Sequence, residues 1–331
     1  MAGVLAERDP SPVGAPSHSA RATTCALQVH RDGRSYRRTR LLVGCLFVVA
    51  FVAAVIGVVH LVQIMTSDRP NTRFGASPMN HSAGPSVTAK WGVGASVRVF
   101  AQDIAAPTHP AGASTVHTSF ALLDYGVSRD QALRDVTAGK YDTQIAAAAK
   151  GTSAGDAIEL VHEADKKIAD GITTWPVVLA AKNHFHDVAK AANPDVLIVN
   201  TVTGWTADPT SGRNFEQWAE IRADIIGIDC DGINPATGAY PDYDAEIAAA
   251  VDFVENNAAN GYDHWAVPEF TAGRQATDTD GSKRAAWLIE MANKFRDDGA
   301  LYVDFFDYNN TPREALEMPK EIAAWRSFVH R

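Results

Sequence analysis

Short apolar runs alternate with helical patterns along most of this chain, and this alternation most constrains its fold. Eight runs have strand character, at residues 73–76, 96–100, 116–123, 157–161, 196–199, 225–228, 265–267 and 301–306. Helical patterns lie between them, including 141–150, 175–192, 244–260 and 281–298. Strands that alternate with helices are typical of parallel βαβ units. Eight such units within about 258 residues predict a (β/α)8 TIM barrel of ordinary size.

A doubly wound open sheet is the main alternative fold. Such a sheet usually binds a nucleotide at a glycine-rich first turn with three glycines in fixed spacing. Here Gly92-Val93-Gly94 lacks the third glycine. The sequence therefore favours the closed barrel.

Residues 41–65 form an uncharged apolar segment of 25 residues. At about 1.5 Å per residue, a helix of this length exceeds the roughly 30 Å hydrocarbon core of a bilayer. Arginines precede the segment at positions 31, 34, 37, 38 and 40. The positive-inside rule then predicts an uncleaved, single-pass signal anchor in the cell membrane, with a cytoplasmic N-terminus and an extracytoplasmic C-terminal domain. A cleaved signal peptide has a shorter apolar core, about 7–15 residues. A buried helix of a soluble domain would be expected to carry a polar face, which this segment lacks.

The predicted organisation has four parts: a disordered basic tail at 1–40, a transmembrane helix at 41–65, a linker at 66–73 and the TIM barrel at 74–331. The tail carries seven arginines against three acidic residues, so the remainder of a chain with net charge −9 is acidic. An acidic domain argues against nucleic-acid binding, which needs clustered lysine and arginine. The three cysteines, Cys25, Cys45 and Cys230, fall in the tail, the span and the barrel respectively. We therefore expect no disulfide within the barrel.

Two glutamates are the strongest candidates for chemistry. Glu163 follows the fourth apolar run and Glu269 follows the seventh. In a TIM barrel the active site lies at the C-terminal ends of the strands, so these carboxylates are expected to converge across its mouth. Two carboxylates about 5–5.5 Å apart can cleave a glycosidic bond with retention of configuration. The pair predicts a glycosidase.

Other polar and aromatic residues follow the predicted strands and are candidates for substrate binding. These residues are His162, Arg98, Trp205, Asp229, Asp231, Asp307 and Tyr308. The cluster of His184, His186 and Asp187 lies in a predicted outer helix, which faces away from the barrel mouth, so we expect no metal site there. The predicted reaction needs neither a cofactor nor a metal.

Several motifs together resemble family-26 glycoside hydrolases, the group that includes β-mannanases, and in particular a divergent bacterial and phage-associated branch. The matching motifs are His162-Glu163, Arg213-Asn214, the segment 226–230 (IGIDC), Pro268-Glu269-Phe270 and the segment 302–307 (YVDFFD). The resemblance covers nearly all of residues 74–331. It implies that Glu163 is the general acid/base and Glu269 the nucleophile. It also implies that His162 supports the acid or contacts the sugar, and that Trp205 offers a stacking face.

The chain departs from the family pattern at two places. Asp231 occupies the position where the family has a tyrosine that hydrogen-bonds the nucleophile, and residues 164–167 (ADKK) follow the His-Glu pair in place of the usual ones. A carboxylate at position 231 is expected to raise the pKa of Glu269 by like-charge repulsion.

Three functional hypotheses follow from the sequence. The first is a membrane-anchored retaining glycoside hydrolase that cleaves a β-linked polysaccharide, mannan-like or from a cell wall. The second is a catalytically degenerate surface protein that binds glycans, and the third is a structural envelope protein that keeps only the barrel.

Overall fold

The computed structural model describes residues 71–78, 89–92, 94–123, 125–231, 239–307 and 315–329. All of them belong to the second of two units, residues 69–331. The predicted tail, the predicted span, most of the predicted linker and Tyr308 lie outside the described residues. Among the described residues, no helix combines the length and apolar character that crossing a bilayer requires.

Eight parallel strands close into a barrel in sequential order. The strands are β1 (Arg73–Ser77), β2 (Ser96–Ala101), β3 (Thr115–Phe120), β4 (Ala157–Leu160), β5 (Leu197–Thr203), β6 (Ile225–Asp231), β7 (His264–Thr271) and β8 (Tyr302–Phe306). The β1 strand begins at Arg73, the last residue of the predicted linker. Because β8 pairs with β1 from Arg73↔Tyr302 to Ser77↔Phe306, the sheet has no open edge. The predicted TIM barrel is confirmed, and the open-sheet alternative is wrong.

Helices follow the strands and cover the outside of the barrel. They are α1 (Arg129–Thr137), α2 (Asp142–Lys150), α3 (Ala164–Ala169), α4 (Trp175–Ala192), α5 (Gly204–Ala207), α6 (Asp244–Asn257), α7 (Ser282–Asp297) and α8 (Pro319–Val329), with 3-10 turns at Pro209–Ser211, Glu216–Glu220 and Ala258–Asn260. The longest, α4, has the bounds that its pattern predicts. Its buried residues Val178, Ala181, Phe185 and Ala189 recur every three or four positions, which places one apolar stripe against the barrel.

The first strand passes close to its neighbours because it carries a glycine. A Cβ on Gly75 would lie 1.8 Å from the backbone oxygen of Ser96 on β2. The carbonyl oxygen of Gly75 accepts a hydrogen bond from the Trp325 indole of α8 at 2.8 Å. Gly75 therefore allows β1 to pair with β2 while the C-terminal helix docks on its other side.

We expect Gly75→Ala to destabilise the protein by about 3 kcal/mol or more, since the added methyl group meets backbone rather than a mobile side chain. Gly171→Ala is the matched control. A Cβ added at Gly171 would meet no atom within 4 Å apart from its chain neighbours, and only the left-handed backbone, φ +69°, disfavours alanine, at a cost of about 1–2 kcal/mol. Denaturant unfolding of both variants measures the difference. Equal stability of the two variants would contradict this view of the β1–β2 approach.

Candidate active site

The two predicted catalytic glutamates lie at the C-terminal end of the barrel on strands three places apart. Glu163 lies three residues beyond β4, and Glu269 lies within β7, two residues before its end, rather than after the strand as the apolar run predicts. Each residue is only 6% exposed. The barrel therefore holds both carboxylates at one rim, mostly shielded from solvent.

The turn that carries Glu163 is conformationally strained. Val161 has φ 51° and Glu163 has φ 48°, both in the left-handed region. This region is unfavourable for a β-branched residue such as valine and costs about 1–3 kcal/mol per residue. The Val161 N–H donates to the Phe120 carbonyl of β3 at 2.9 Å, and the Glu163 carbonyl accepts from the first turn of α3. The strain places His162 and Glu163 together at the barrel mouth, and such strain is common at functional sites.

A local irregularity places Glu269. The register between β6 and β7 shifts between Gly227 and Cys230, and the register between β7 and β8 shifts between Val267 and Phe270. Pro268 lies in this interval and has no N–H to donate to a neighbouring strand. Irregular pairing of this kind re-aims a side chain and is frequent next to active sites. Glu269 is the residue that it presents.

His162 lies between the carboxylates. Its Nε2 atom is 3.6 Å from Glu163 Oε2, 3.6 Å from Glu269 Oε1 and 4.0 Å from Asp229 Oδ2. The two glutamate oxygens are therefore separated by at most twice 3.6 Å. This upper limit allows the carboxyl separation of retaining glycosidases, about 5–5.5 Å. It excludes most of the separations found in inverting glycosidases, about 6.5–9.5 Å.

Arg98 holds the carboxylates from below. Its Nη1 atom lies 3.0 Å from Glu269 Oε1 and 3.5 Å from Asp229 Oδ1, and its Nη2 atom lies 3.3 Å from Glu159 Oε2. The prediction of Arg98 as a substrate-binding residue does not match this placement. Its side chain has no exposed surface and points from β2 into the barrel, where it is bound by carboxylates. Its observed contacts make it a residue that positions Glu269.

A layer of polar residues supports Arg98, and sequence reasoning missed it. Glu159 Oε1 accepts the Thr201 N–H at 2.7 Å and lies 3.7 Å from Lys182 Nζ, while His117 Nε2 lies 3.6 Å from Glu159 Oε2. Burial alone raises the pKa of Glu159, but His117, Lys182 and Arg98 together hold that pKa well below its usual range. The sequence did contain a signal for this layer, namely ionisable residues within apolar strand runs. An inward-facing strand position rarely carries a charge without a partner.

The electrostatics of the rim favour neutral forms. Burial raises the pKa of Glu269 to about 8, the Glu163 and Asp231 carboxylates add to this rise, and Arg98 opposes it. Burial and the neighbouring Glu269 raise the pKa of Asp229 well above its ordinary value. Burial and Arg98 lower the pKa of His162 well below its ordinary value. The effect of Asp231 on Glu269 has the direction that the sequence predicts, although burial is the larger cause.

A cavity of about 670 Å³ opens beside Glu163, within the usual range for ligand pockets of about 300–1,000 Å³. Three predicted binding residues, Trp205, Asp229 and Asp231, are among those that line it. Trp205 is 55% exposed, so its ring is available to a ligand. Arg213 also lines the cavity and is held by the Thr206 hydroxyl at 2.8 Å and by Asp165 at 3.3 Å.

Asp307 is not among the residues that line this cavity. Its carboxylate is bound by Lys90 at 2.7 and 2.8 Å, beyond the end of β8. The predicted site residue Tyr308 lies outside the described residues. The cavity is therefore built by the ends of β4 to β6 and by the residues that follow them.

The barrel is similar in fold to glycoside hydrolases of known structure. An exo-β-1,4-mannosidase from an Opitutaceae bacterium is 13% identical, with a TM-score of 0.51, and the match covers 78% of this chain and 59% of that chain. A xylanase from Paenibacillus barcinonensis is 13% identical, with a TM-score of 0.50, 80% of this chain and 100% of that chain being covered. An intracellular xylanase from Thermoanaerobacterium saccharolyticum is 14% identical, with a TM-score of 0.51 and coverages of 79% and 99%.

These likenesses show the fold. It is a TIM barrel. The chain spans 59% of the length of the mannosidase that it matches. No protein-family profile matches the chain, and no curated protein sequence matches it.

A buried carboxyl group inside this barrel gives a prediction on pH. Burial raises the pKa of Asp304 on β8 to about 8, against smaller opposing effects of Ser96 and Arg98. In the folded state the pKa of Asp304 lies above the ordinary value of about 3.9. The stability that the folded protein has with this carboxyl group neutral is therefore fully present below about pH 4. This stability is lost as the pH rises through about 8. We expect Asp304→Asn to gain stability relative to wild type over this interval, by about 1.4 kcal/mol for each pKa unit of the shift.

Denaturant unfolding at several pH values between 4 and 8 measures this gain. Asp252→Asn, at an exposed position of α6, is the matched control and should follow the wild-type pH dependence. A wild-type pH dependence in Asp304→Asn as well would show that this carboxyl group does not titrate as its burial implies.

Proposed function

We propose that this chain is a membrane-anchored retaining glycoside hydrolase that cleaves a β-linked polysaccharide. One observation carries the proposal: Glu163 and Glu269, on strands three places apart, both lie 3.6 Å from His162 Nε2 at the rim of the barrel. The exposed Trp205 ring in the adjacent cavity supplies an apolar surface on which a sugar ring can stack.

The reaction follows from the positions of these groups. Glu163 protonates the leaving oxygen while a Glu269 oxygen attacks the anomeric carbon, which breaks the glycosidic bond and forms a glycosyl-enzyme ester. Glu163, now ionised, takes a proton from water as the water oxygen attacks the same carbon, which breaks the ester bond and releases the Glu269 carboxylate. The free sugar leaves, and Glu163 is protonated again. Arg98 donates to Glu269 Oε1, which opposes the rise of the Glu269 pKa to about 8 and so favours the ionised carboxylate that the attack requires, and this leaves Oε2 for the attack.

The sugar class and the family are part of the proposal. The structural neighbours are named as a β-1,4-mannosidase and xylanases, which supports a β-linked substrate. The motifs at 162–163, 226–230, 268–270 and 302–307 support family 26. The uncharged segment 41–65 and the arginines before it support anchoring, with the barrel outside the cytoplasm.

Azide rescue tests the roles of the two glutamates. We expect Glu269→Ala to abolish hydrolysis of aryl β-glycosides that have a good leaving group, tested as mannosides, xylosides and glucosides. Added azide should restore turnover and yield the α-glycosyl azide, since azide takes the place of the missing nucleophile. We expect Glu163→Ala to lower kcat on natural linkages by about 10²–10⁴. With azide this variant should yield the β-glycosyl azide from the covalent intermediate. Mass spectrometry and NMR identify the products.

Glu255→Gln, on the exposed side of α6, is the matched control and should retain wild-type rates. If both site variants hydrolyse as fast as this control, the glutamate pair is not the catalytic apparatus. Inertness of the wild type against plant, fungal and bacterial wall glycans would remove the hydrolase proposal itself.

Glycan binding without hydrolysis is the second candidate function. It is favoured by Asp231, whose charge adds to that of the other carboxylates at the position where the family has a tyrosine. In this case no product forms even with wild type, while the double variant Glu163→Gln/Glu269→Gln binds glycans as wild type does.

In either case we expect Trp205→Ala to weaken glycan binding about tenfold, because the exposed indole supplies the stacking surface. Calorimetry with oligosaccharides measures the affinity, and Trp205→Phe should keep most of it. Unchanged affinity in Trp205→Ala would place the glycan elsewhere on the barrel.

A further inference from the structure

Three carboxylate oxygens surround the Nε2 atom of His162 without forming hydrogen bonds to it. They belong to Glu163, Glu269 and Asp229, at 3.6, 3.6 and 4.0 Å, beyond the usual N–H···O limit of about 3.2 Å. Two other histidine–carboxylate pairs lie within hydrogen-bonding distance, His109–Asp156 at 2.6 Å and His184–Asp142 at 2.7 Å, whereas His117–Glu159 is also 3.6 Å apart. The feature that distinguishes His162 is that oxygens of three different carboxyl groups surround one ring nitrogen at this spacing.

The spacing matches the first coordination sphere of a small cation. One ligand atom each from His162, Glu163 and Asp229 lies within 4.8 Å of the other two. Zinc binds imidazole nitrogen and carboxylate oxygen at about 2.0–2.2 Å, so two ligands of a tetrahedral zinc ion are about 3.4 Å apart. The observed distances of 3.6 and 4.0 Å from Nε2 exceed this separation by about 0.2 and 0.6 Å, and the Glu163 and Asp229 oxygens lie within 4.8 Å of each other, so the three side chains would close on a bound ion.

Asp229 is a second, independent indication of a ligand. Its side chain has no exposed surface, and neither carboxylate oxygen accepts a hydrogen bond. Arg98 approaches Oδ1 at 3.5 Å, while Oδ2 is the oxygen nearest to His162. A buried carboxyl group without hydrogen bonds is costly, and a cation bound at Oδ2 would displace its proton and satisfy the oxygen. Both Glu163 and Asp229 line the cavity, which gives an ion a path of entry.

We propose that His162, Glu163 and Asp229 bind one divalent zinc-like cation, with a water from the cavity as the fourth ligand, and that the bound ion inhibits hydrolysis. The ion takes the Glu163 oxygen that would protonate the leaving group, so hydrolysis and metal binding are mutually exclusive. The inhibition rests on the proposed function, whereas the binding does not. Lys167 Nζ lies 3.5 Å from the same Glu163 oxygen and competes with the ion.

Titration of the whole chain in detergent tests the binding. Calorimetry measures the titration with Zn²⁺, and the visible absorption of a tetrahedral centre measures the titration with Co²⁺. We expect one saturable site whose affinity falls tenfold or more in His162→Gln and in Asp229→Asn. We expect Lys167→Gln to raise the affinity several-fold, which a merely destabilised protein would not do. A control is needed because the chain has 11 histidines, which can bind zinc weakly. His186→Gln on α4 is the matched control and should bind zinc as wild type does.

Thermal unfolding of each variant without metal shows whether it is folded. Absence of a saturable site, or wild-type affinity in both His162→Gln and Asp229→Asn, overturns the metal site. If zinc binds as expected and wild type cleaves no glycan, the metal site stands and the hydrolase proposal fails. If wild type cleaves a glycan and zinc neither binds nor inhibits, the hydrolase proposal stands and the metal site fails. Inhibition of hydrolysis by zinc, reversed by EDTA, supports both.

Discussion

Arg98 crosses the interior of the barrel from β2, and its guanidinium contacts the carboxylates of β4, β6 and β7. Glu159, Asp229 and Glu269 all lie within 3.5 Å of it, and the charge of Glu159 in particular would not be tolerated at the centre of a barrel without a cation. Removing one partner of a buried charge network typically costs about 3–5 kcal/mol, because the remaining charges are left without compensation. This network therefore both permits a polar barrel interior and fixes the orientation of Glu269 at the rim.

The polar layers below the rim extend this arrangement downward. Lys182, from α4, reaches Glu159 at 3.7 Å and Asn200 at 3.0 Å, so an outer helix supplies a charge to the interior. His117 connects Glu159 to the Tyr302 hydroxyl on the other side of the barrel. Burial lowers the pKa of His117 to about 4, so the imidazole is neutral here; its Nδ1 atom is hydrogen-bonded with the Tyr302 hydroxyl at 3.1 Å, while its Nε2 atom lies 3.6 Å from Glu159 Oε2. The rim is thus supported by residues from β2, β3, β4, β8 and α4.

Two of the three left-handed non-glycine residues in the described chain, and the shifted strand register, lie at the residues that carry the proposed chemistry; the third is Leu122, after β3. The left-handed Val161 and Glu163 flank His162, and the shifted register of β7 contains Glu269. Elsewhere β1, β2, β3, β5 and most of β6 pair in regular parallel register. Regular pairing supplies the stability, and the two irregular segments aim the carboxylates at one point. The same convergence leaves Asp229 buried without hydrogen bonds, which is the basis for the proposed cation site.

Local sequence patterns predicted the fold because each βαβ unit encodes its own elements. The helix α4 has the predicted bounds, and each of the eight strands overlaps its apolar run, since burial on both faces of a parallel sheet requires continuous apolar residues. The ends of β5, β6 and β7 extend further than the runs, because polar residues such as Asn200, Asp229 and Glu269 continue the strand within the barrel interior. Apolar pattern alone does not detect a strand whose inner face is polar.

The sequence by itself determined the order of the elements, the closed barrel and the two glutamates at its rim, because all of these follow from local periodicity and from the position of a residue along its strand. Only the tertiary structure decided which charges meet. Arg98, predicted to face a ligand, instead lies beneath Glu269, and Glu159, His117 and Lys182 form a layer that no spacing along the chain reveals. These contacts join residues 18 to 185 positions apart. They depend on register and on the direction of each side chain, which are fixed only when the barrel closes.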